Sequence, residues 1–561
     1  MFHQTMVRAR FFARVLPVVL LVVLAAAVSV PGADAASPES PDATFPVSVS
    51  AAGAWADGEG VSEYTTPSIS ADGLFVAFLS ASTNLGEAGP VGVTEGFVKD
   101  LETGAVSLVS RADGPDGEAA DEPISNLHLS GDGHFVVFSS AATDLGTALP
   151  GGETHVYRRD LETGETILVD PVGGVESVSI SADGRDVAFI ANGVAYVRDL
   201  EAGTTTAVSR ASGAAGAIAD EPAEWISIAP DGRSVAFASR ASNLVPGVEE
   251  GVWEQVYRRD LETEATSLVS QNALGEAGDR SSVLPAIAGA DGCFITLSSI
   301  AFNLLAPSPL EVSGEQVYVA DVCASPPSVT LASKNASTPF APFAYSVAAS
   351  SEDGSKAIFA AEFAGSPCCH LYLRDLAAGT TSQFDRASGP AGALSDAEVQ
   401  EFALAANGCR AVFATRATNL YGEGPPQEEE PTEVYVRQLA PCVESPAHPG
   451  GGSDPGAGAT DPPRPAAEQS LAGKLKIQTV AKRRLVLGLS SAGVVTVRVR
   501  RLVPSQPREW RLIQTVEGRL DSAGTLTLPL SSLEPGRYRL NVHLHGTPAG
   551  TVRWLTVGSS G

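Results

Sequence analysis

Residues 68–78 read Ser-Ile-Ser-Ala-Asp-Gly-Leu-Phe-Val-Ala-Phe, and this short phrase decides the fold of most of the chain. It begins as an alternating segment, turns at Asp72-Gly73 and continues as an apolar segment that ends at Phe78. An Asp-Gly pair between two such segments is typical of a β-hairpin, because glycine adopts the positive φ that the tight turn requires. The phrase therefore predicts two antiparallel strands.

The same phrase recurs seven times, with a period of 48–62 residues. The turn pairs are Asp72-Gly73, Asp132-Gly133, Asp183-Gly184, Asp231-Gly232, Asp291-Gly292, Asp353-Gly354 and Asn407-Gly408. The apolar residues that follow at one fixed place are Phe78, Phe138, Phe189, Phe237, Leu297, Phe359 and Phe413. Self-similarity at this period predicts an architecture of repeated supersecondary units.

Each repeat contains four predicted strands. In the first repeat, Gly96–Asp100 is the third strand, the turn Glu102-Thr103-Gly104 follows it, and Val106–Val109 is the fourth strand. One four-stranded sheet buries too little apolar surface to be stable alone, whereas seven sheets arranged radially cover one another as a β-propeller. A parallel β-helix is the alternative, but its repeats are much shorter.

The seventh repeat ends after its third strand at Tyr435, and Pro441-Cys442 follow soon afterwards. A segment that resembles the missing fourth strand, Thr44–Ser50, lies at the other end of the repeat region. We therefore predict an all-β chain in which residues 36–442 form a seven-bladed β-propeller closed by its N-terminal strand. Such closure leaves no long unpaired sheet edge.

The repeat resembles that of the TolB-type propellers, the Pro-Asp-Gly relatives of WD-repeat proteins. The likeness rests on Ser-Ala-Asp-Gly-x-x-Val-Ala-Phe followed by Val-Tyr-x-Arg-Asp-Leu-x-x-Gly, and Ala229-Pro230-Asp231-Gly232-Arg233 is the nearest match. It covers about residues 44–442. The resemblance implies the propeller fold, and it implies a scaffold, a partner platform or a substrate gate without choosing among them.

Residues 1–35 read as a secretory signal peptide. Arg8, Arg10 and Arg14 precede the apolar run Val15–Val30, and Ala33-Asp34-Ala35 is a small-x-small cleavage site. An uncleaved membrane anchor is the alternative, but the run is shorter than the ~20 residues of a spanning helix. We expect a secreted or cell-envelope protein with no transmembrane segment after cleavage. The excess of Arg over Lys suggests a bacterial source with a GC-rich genome.

Charge separates two parts of the chain. Residues 36–442 carry 56 acidic and 19 basic side chains, a net charge of −37, whereas residues 471–561 carry four acidic and 14 basic side chains, a net charge of +10. The acidic balance makes nucleic acid an unsuitable partner for the propeller. The segment 443–470, rich in Pro, Gly and Ala, is predicted to be a linker between the two parts.

Six cysteines in an exported chain favour disulfides. Cys293 and Cys409 follow first turns, while Cys323 and Cys442 lie near third turns, and these turns share one end of an up-and-down blade. We therefore predict the bridges Cys293–Cys323 and Cys409–Cys442. Cys368 and Cys369 remain, so a vicinal disulfide is possible, and the following His370 keeps a metal site open as an alternative.

The connections between blades supply the candidate binding residues. Arg111–Pro123, Arg210–Pro222 and Arg386–Glu398 are similar in sequence and end in acidic pairs. We predict that these acids lie around the mouth of the central channel, where they could hold Ca²⁺ or a cationic partner segment. The favoured interpretation is a solvated acidic surface without a cofactor, and Ca²⁺ binding is the alternative. The candidates are Asp121, Glu122, Asp220, Glu221, Asp396 and Glu398.

Tryptophans near the same loops are candidate anchors for a peptide or glycan. Trp225 and Trp253 are the two we select. Catalytic residues are not predicted, because the chain has no Gly-x-Ser-x-Gly elbow, Walker loop or His-Glu-x-x-His motif. His128, His134 and His155 are scattered and favour packing or surface roles.

Residues 471–561 contain several short alternating segments, which predict a small β-sandwich. The phrase Gly536-Arg537-Tyr538-Arg539-Leu540 is similar to those of immunoglobulin- or fibronectin-like modules. His543 and His545 share one predicted strand face and leave a metal site open as an alternative. The positive charge suggests adhesion to an anionic envelope polymer or docking onto the acidic propeller.

These features favour an exported monomer that binds a protein or envelope polymer without catalysis. The alternative is a propeller hydrolase or lyase that acts on glycans or lactones through carboxylates at the channel mouth.

Overall fold

The computed structural model describes most of residues 42–442 and the strands between residues 475 and 557. Within residues 42–442 the gaps are 58–65, 87–89, 147–151, 171, 249–252, 307–313, 336–340, 342, 346–349, 364–368, 423–424 and 426–431. The predicted signal peptide and the predicted linker lie outside the described residues. The chain divides into two compact units, Met1–Cys442 and Val443–Gly561.

Strands and turns, without any helix among the described residues, make up the first unit. The strands of blades 1 to 4 are β2 (Ser68–Ile69), β3 (Phe75–Ser80), β4 (Glu95–Asp100), β5 (Val106–Leu108); β6 (Ile124–Leu129), β7 (Phe135–Ser140), β8 (His155–Asp160), β9 (Thr166–Leu168); β10 (Val175–Ile180), β11 (Asp186–Ala191), β12 (Val194–Asp199), β13 (Thr204–Ala207); β14 (Ala223–Ile228), β15 (Ser234–Ser239), β16 (Gln255–Asp260) and β17 (Thr266–Leu268).

Blades 5 to 7 complete the ring. Their strands are β18 (Ser282–Ala288), β19 (Phe294–Ser299), β20 (Gln316–Asp321), β21 (Ser328–Leu331); β22 (Phe343–Tyr345), β23 (Lys356–Glu362), β24 (His370–Asp375), β25 (Thr380–Gln383); β26 (Val399–Leu404), β27 (Arg410–Thr415), β28 (Glu433–Gln438) and the N-terminal β1 (Thr44–Pro46). Each blade is a four-stranded antiparallel sheet, and six of them follow chain order. The predicted seven-bladed propeller is confirmed.

The repeated apolar position is the centre of each blade. Its phenylalanine stacks on the aromatic ring opposite it on the third strand, with ring centroids 5.5–5.9 Å apart in six blades. In blade 5 the cross-strand pair is Leu297 and Tyr318. Such offset aromatic pairs add to the stabilisation from buried area.

The Ser-x-Asp-Gly turn has two tasks. In the first turn the Ser70 hydroxyl accepts the N–H of Phe75 at 3.0 Å, and the Asp72 carboxylate accepts the N–H of Leu74 at 2.9 Å. The glycine also leaves room for a side chain of the preceding blade. A Cβ on Gly184, whose φ is +70°, would lie 2.2 Å from the ring of Phe135 in blade 2. The motif is therefore needed for both the turn and the contact between blades.

The N-terminal strand closes blade 7. Strand β1 pairs with β28 in the register Thr44↔Arg437, Phe45↔Val436 and Pro46↔Tyr435, and the N–H of Val47 donates to the Val434 carbonyl at 2.7 Å. The Ser48 hydroxyl then donates to the Glu433 carboxylate. The predicted clasp is confirmed, with the regular strand ending earlier than Ser50.

Blade 7 also meets blade 1 directly. The N–H of Asn407 donates to the Ala71 carbonyl at 3.2 Å, and its side-chain amide donates to the Asp72 carbonyl at 3.1 Å. The Arg410 guanidinium donates to the Gly73 carbonyl at 2.9 Å. The seven blades therefore form a closed ring.

Both predicted disulfides are confirmed. Cys293–Cys323 and Cys409–Cys442 have Cα–Cα distances of 5.2 and 5.0 Å. Cys369 is also disulfide-bonded, whereas Cys368 lies outside the described residues, so the vicinal bridge stays a prediction.

The second unit contains two antiparallel sheets. The first is ordered β29 (Leu475–Ala481), β30 (Arg484–Leu489), β33 (Gly524–Pro529), and the second is ordered β32 (Gln506–Leu520), β31 (Gly493–Val503), β34 (Gly536–Leu544), β35 (Gly550–Val557). Two sheets of three and four strands agree with the all-β prediction. The immunoglobulin- or fibronectin-like assignment stays a prediction. His543 lies in β34 and His545 lies outside the described residues, so a metal site stays an alternative.

Candidate functional site

The first strand of each blade is the innermost, and these strands line the central channel. In blades 2, 3, 4, 5 and 7 the pairing of the first strand with the second shifts register near the start of the first strand. Such bulges redirect side chains and are common beside functional sites. The shift occurs at the start of the first strand, next to the connection from the preceding blade. We call the face of the propeller that carries these connections the loop face.

Three bulge residues have a left-handed backbone. The φ angles of Asn126, Trp225 and Leu284 are +50°, +46° and +53°. This conformation is unfavourable for a side chain as large as Trp or Leu, so the surrounding sheet must hold it. Trp225 nevertheless stays 39% exposed on an innermost strand.

Residues at the same repeat position line one level of the channel, which we call the channel mouth. Those that the structure describes are Thr66, Asn126, Ser177, Trp225, Leu284 and Glu401. Five of them lie six residues before the turn residue of their blade, and Leu284 lies seven before it. That constant offset was the sequence signal that could have identified the residues other than Trp225.

A contact across the seam between blades 7 and 1 places neighbouring members of the channel mouth together. The Thr66 hydroxyl donates to the Glu401 carboxylate at 2.8 Å. Burial raises the pKa of Glu401, and the hydrogen bond from Thr66 partly offsets this effect. A carboxyl group of this kind can retain its proton at a higher pH than an exposed one and can therefore donate a hydrogen bond.

Deeper in the channel, small side chains join the inner strands. The hydroxyl of Ser68 accepts the N–H of Leu129 at 3.0 Å, and the hydroxyl of Ser227 accepts the N–H of Ile287 at 3.0 Å. His128 lies at the same level, and burial lowers its pKa to about 4, so it is neutral at physiological pH. These contacts give the wall a fixed shape beneath the channel mouth.

The predicted aspartates have a structural role. Asp121 accepts the N–H and the hydroxyl of Thr143 at 2.8 and 2.7 Å, and Asp220 and Asp396 bind Ser242 and Thr418 in the same way. These hydrogen bonds lower the pKa of Asp121. Each aspartate joins the connection entering its blade to the loop after the second strand of that same blade.

An asparagine completes this arrangement in four blades. Its side-chain amide donates at 2.8 Å to a carbonyl two residues before the aspartate, and its oxygen accepts the aspartate N–H. The asparagines and their carbonyl partners are Asn84 and Trp55, Asn243 and Ile218, Asn303 and Ala277, and Asn419 and Leu394. We call the aspartate and its partners the loop clamp.

The glutamates of the acidic pairs remain exposed. Glu122, Glu221 and Glu398 are solvent-accessible, and Trp253 is 38% exposed just before β16. Among the described residues no group of three or more His, Cys, Asp or Glu side chains could hold a metal ion. The structure thus brings each aspartate to its own blade and does not gather the six acids at one metal site. Calcium binding stays the untested alternative to a solvated acidic surface.

The first half of each acidic connection lies elsewhere than the prediction placed it. Arg111 pairs with Ala119 as a small hairpin, and the Arg159 guanidinium of blade 2 donates to the carbonyls of Ala112 and Gly114 at 3.1 and 3.0 Å. The hairpin therefore lies against the outer part of the next blade, away from the inner strands. Only the acidic end of the connection approaches the first strand.

Blade 2 offers a test of the loop clamp, because Asp144 replaces the asparagine. Its carboxylate accepts the Asp121 N–H at 3.2 Å, and burial and the nearby Asp121 carboxylate raise the pKa of Asp144. We expect Asp144→Asn to raise the free energy of unfolding by about 1 kcal/mol, since the amide gains a hydrogen bond and the repulsion disappears. Urea unfolding at pH 7 measures this. The reverse change, Asn243→Asp, should cost a similar amount; equal stability of both variants and the parent protein would contradict the clamp.

No family model and no curated protein matches this chain. Solved structures with a similar fold include TolB from Acinetobacter baumannii, with 16% identity over 58% of this chain and 65% of that chain and a TM-score of 0.34. Oligogalacturonate lyase from Vibrio parahaemolyticus has 11% identity over 69% and 95% of the two chains, with a TM-score of 0.41. Acylaminoacyl peptidase from Pyrococcus horikoshii has 15% identity over 67% and 51%, with a TM-score of 0.40.

The chain thus spans slightly less than two thirds of the TolB chain and about half of the peptidase chain. At such low identity these likenesses concern the fold alone, and their low TM-scores add no weight to any function. By its own strands and closure, the first unit is a seven-bladed β-propeller.

Proposed function

We propose that this protein is an exported binding protein without catalytic activity, and that the channel mouth and the adjoining loop face of its propeller bind a protein or glycan partner. The observation that supports this proposal is Trp225. A large aromatic side chain that is exposed on an innermost strand, with a backbone held at a φ of +46°, is costly unless its position is used.

The surroundings of Trp225 suit recognition of a partner with both polar and apolar groups. Leu284 of the next blade is partly exposed, and Ser177 of the preceding blade accepts the N–H of Ile226 beside Trp225 at 3.4 Å. Asn126 of blade 2 and Glu401 of blade 7 provide further hydrogen-bonding groups around the channel mouth. The loop clamps hold the surrounding connections in place before binding. Such preorganisation reduces the conformational entropy that is lost on association.

The rest of the chain is consistent with an envelope or extracellular location. The two disulfides of the propeller are stable in an oxidising compartment, and the net charge of −37 on residues 36–442 repels nucleic acid. No helix among the described residues is long and apolar enough to span a bilayer. We propose a monomer whose partner is a protein or an envelope polymer.

The test is capture of partners from native cell envelopes by the full chain, with and without calcium. We expect Trp225→Ala to weaken binding of the captured partner about 30-fold, the effect of losing an aromatic hot spot of about 2 kcal/mol. Leu274→Ala is the matched control, because Leu274 is also an exposed apolar residue and lies in the turn of the hairpin between Gln271 and Ala277, outside the loop clamps. Undiminished capture by the Trp225 variant would refute the proposal.

A second candidate function is favoured by Glu401. A partly buried carboxyl group with a raised pKa on the channel wall is the kind of group that serves as a general acid in a hydrolase or lyase acting on glycans or lactones. Incubation of the full chain with acidic polysaccharides and with lactones tests this alternative. Turnover that Glu401→Gln abolishes, while the fold is retained, would establish an enzyme.

A further inference from the structure

The outer edge strands of the blades differ in whether another segment of the chain covers them. An outer strand exposes backbone N–H and C=O groups that another extended chain can pair with, and proteins normally cover or interrupt such edges. In blade 2 the connection from blade 1 covers the edge of the outer strand. The N–H of Thr166 in β9 donates to the Asp113 carboxylate at 3.3 Å, and the Thr166 hydroxyl donates to the Arg111 carbonyl at 2.7 Å.

Blades 4 and 7 repeat this cover. In blade 4 the N–H of Thr266 donates to the Ser212 hydroxyl at 2.9 Å, and the Thr266 hydroxyl donates to the Arg210 carbonyl at 2.6 Å. In blade 7 the N–H of Thr44 donates to the Ser388 hydroxyl at 3.0 Å. The hairpins therefore cover the outward N–H groups of three outer strands at one repeat position.

Blade 3 has no such hairpin, because Asp170 and Val175 are separated by only four residues. Within the described residues 172–174, the N–H groups of Val172 and Gly173 bind Asp170, and the Gly174 carbonyl accepts the N–H of Asn192 at 3.3 Å. These bonds keep the connection away from the outer strand.

The threonine of blade 3 is Thr205, opposite Arg198 as Thr166 is opposite Arg159. The Arg198 guanidinium binds its own blade, at the Gly203 carbonyl and the Thr205 hydroxyl, 2.8 and 3.1 Å away. By repeat equivalence the N–H of Thr205 points outward. The side chains of Thr204, Thr205 and Thr206 are all exposed, so β13 has an accessible edge.

Blade 6 is different from blade 3. The Thr381 hydroxyl in β25 donates to the Lys334 carbonyl of the preceding connection. The outer strand of blade 6 is thus in contact with that connection, whereas β13 consists of three exposed β-branched residues and Ala207 without charge or proline, features that favour strand pairing.

We infer that the edge of β13 binds an extended basic segment of another polypeptide, which adds to blade 3 as a fifth strand. Only an extended chain can satisfy a row of backbone donors and acceptors in this way. The basic character follows from charge: the −37 of residues 36–442 attracts a cationic segment. This surface lies on the outer side of blade 3, distinct from the channel mouth, and the inference does not depend on the function proposed there.

A second copy of this chain is a poorer occupant. Two copies carry the same large negative charge and repel each other. A pair of four-residue edges also buries far less than the roughly 1,000 Å² that a stable protein interface needs. A short basic segment is attracted by the charge that repels a second copy, and its main-chain hydrogen bonds to the edge supply affinity in place of a large buried area.

The probe is a ten-residue peptide of alternating Thr and Lys, with a Thr-Glu peptide of the same length as the charge control. We expect the full chain to bind the Thr-Lys peptide and to gain hydrogen-exchange protection within residues 204–207. Thr205→Pro removes the outward N–H and should weaken binding at least tenfold, while Thr205→Val keeps the N–H and should bind as the parent protein does.

A second variant guards against a folding defect of the proline variant. Replacing residues 171–174 with the hairpin sequence of residues 210–218 supplies blade 3 with the cover found in blade 4, and it should abolish binding in a folded protein. Equal binding of both peptides, protection outside β13, or unchanged binding after either edge modification would overturn the inference. Concentration-dependent dimerisation that Thr205→Pro abolishes would instead assign the edge to a second copy.

Discussion

Replacing Arg437 with leucine is expected to destabilise the propeller by about 3–5 kcal/mol, the cost of leaving buried polar partners without a donor. Arg437 is among the largest fully buried side chains of the propeller. Its guanidinium donates to the Ala387 and Gly389 carbonyls at 2.9 and 3.2 Å and to the Thr44 hydroxyl at 2.9 Å. One side chain thus holds the hairpin from blade 6 and the N-terminal strand together.

The matched control is Arg198→Leu, at the same repeat position in blade 3. Arg198 donates to the Gly203 carbonyl and the Thr205 hydroxyl within its own blade, in partly exposed surroundings. We expect this variant to lose less than about 1 kcal/mol. Urea unfolding followed by tryptophan fluorescence measures both variants. Equal losses would show that the role of Arg437 in closing the ring is not energetically important.

Removing the Cys409–Cys442 bridge by a double change to alanine is expected to lower the free energy of unfolding by about 3.5 kcal/mol, because the unfolded chain regains the conformational entropy that the bridge had removed. The bridge closes a loop of 33 residues, and Cys293–Cys323 closes one of 30 residues. The two bridges occupy equivalent places in blades 7 and 5, so the second pair is a natural control. Loop length alone predicts nearly equal losses.

Because the two loops are nearly equal in length, a difference between the stability losses of the two variants would measure the effect of the bridge's position in the propeller. Cys442 is the last residue of the first compact unit, and the carbonyl of Cys409 accepts the N–H of Leu439 at 2.7 Å. We expect the blade 7 pair to cost at least as much as the blade 5 pair in unfolding experiments without reductant. A smaller loss at blade 7 would contradict the view that this bridge supports the closure.

The fold could be predicted because its determinants are local and repeated. The turn Asp72-Gly73, the strand ending at Phe78 and their six counterparts specify hairpins at short range, and the missing fourth strand after Tyr435 indicates the clasp. The disulfides followed from the positions of turns. Each of these features depends on residues close in sequence or on repeat equivalence, which a single sequence displays.

The site was only partly predictable. Asp121, Asp220 and Asp396 were selected for their charge, but their hydroxyl partners lie 22 residues later, and a sequence alone does not show that these acids are already hydrogen-bonded. Glu401 was missed because its environment depends on Thr66, 335 positions away. Trp225 was selected, but its left-handed backbone arises from a bulge that no local sequence motif predicts.

The clasp also sets an order of assembly. Residues Thr44–Pro46 are made early, yet their pairing partner, Glu433–Gln438, is made nearly four hundred residues later. During synthesis the first strand has no pairing partner until the chain of the six intervening blades has been made. The ring therefore closes last, and a chain released before Glu433–Gln438 is made would form an open ring with an unpaired sheet edge.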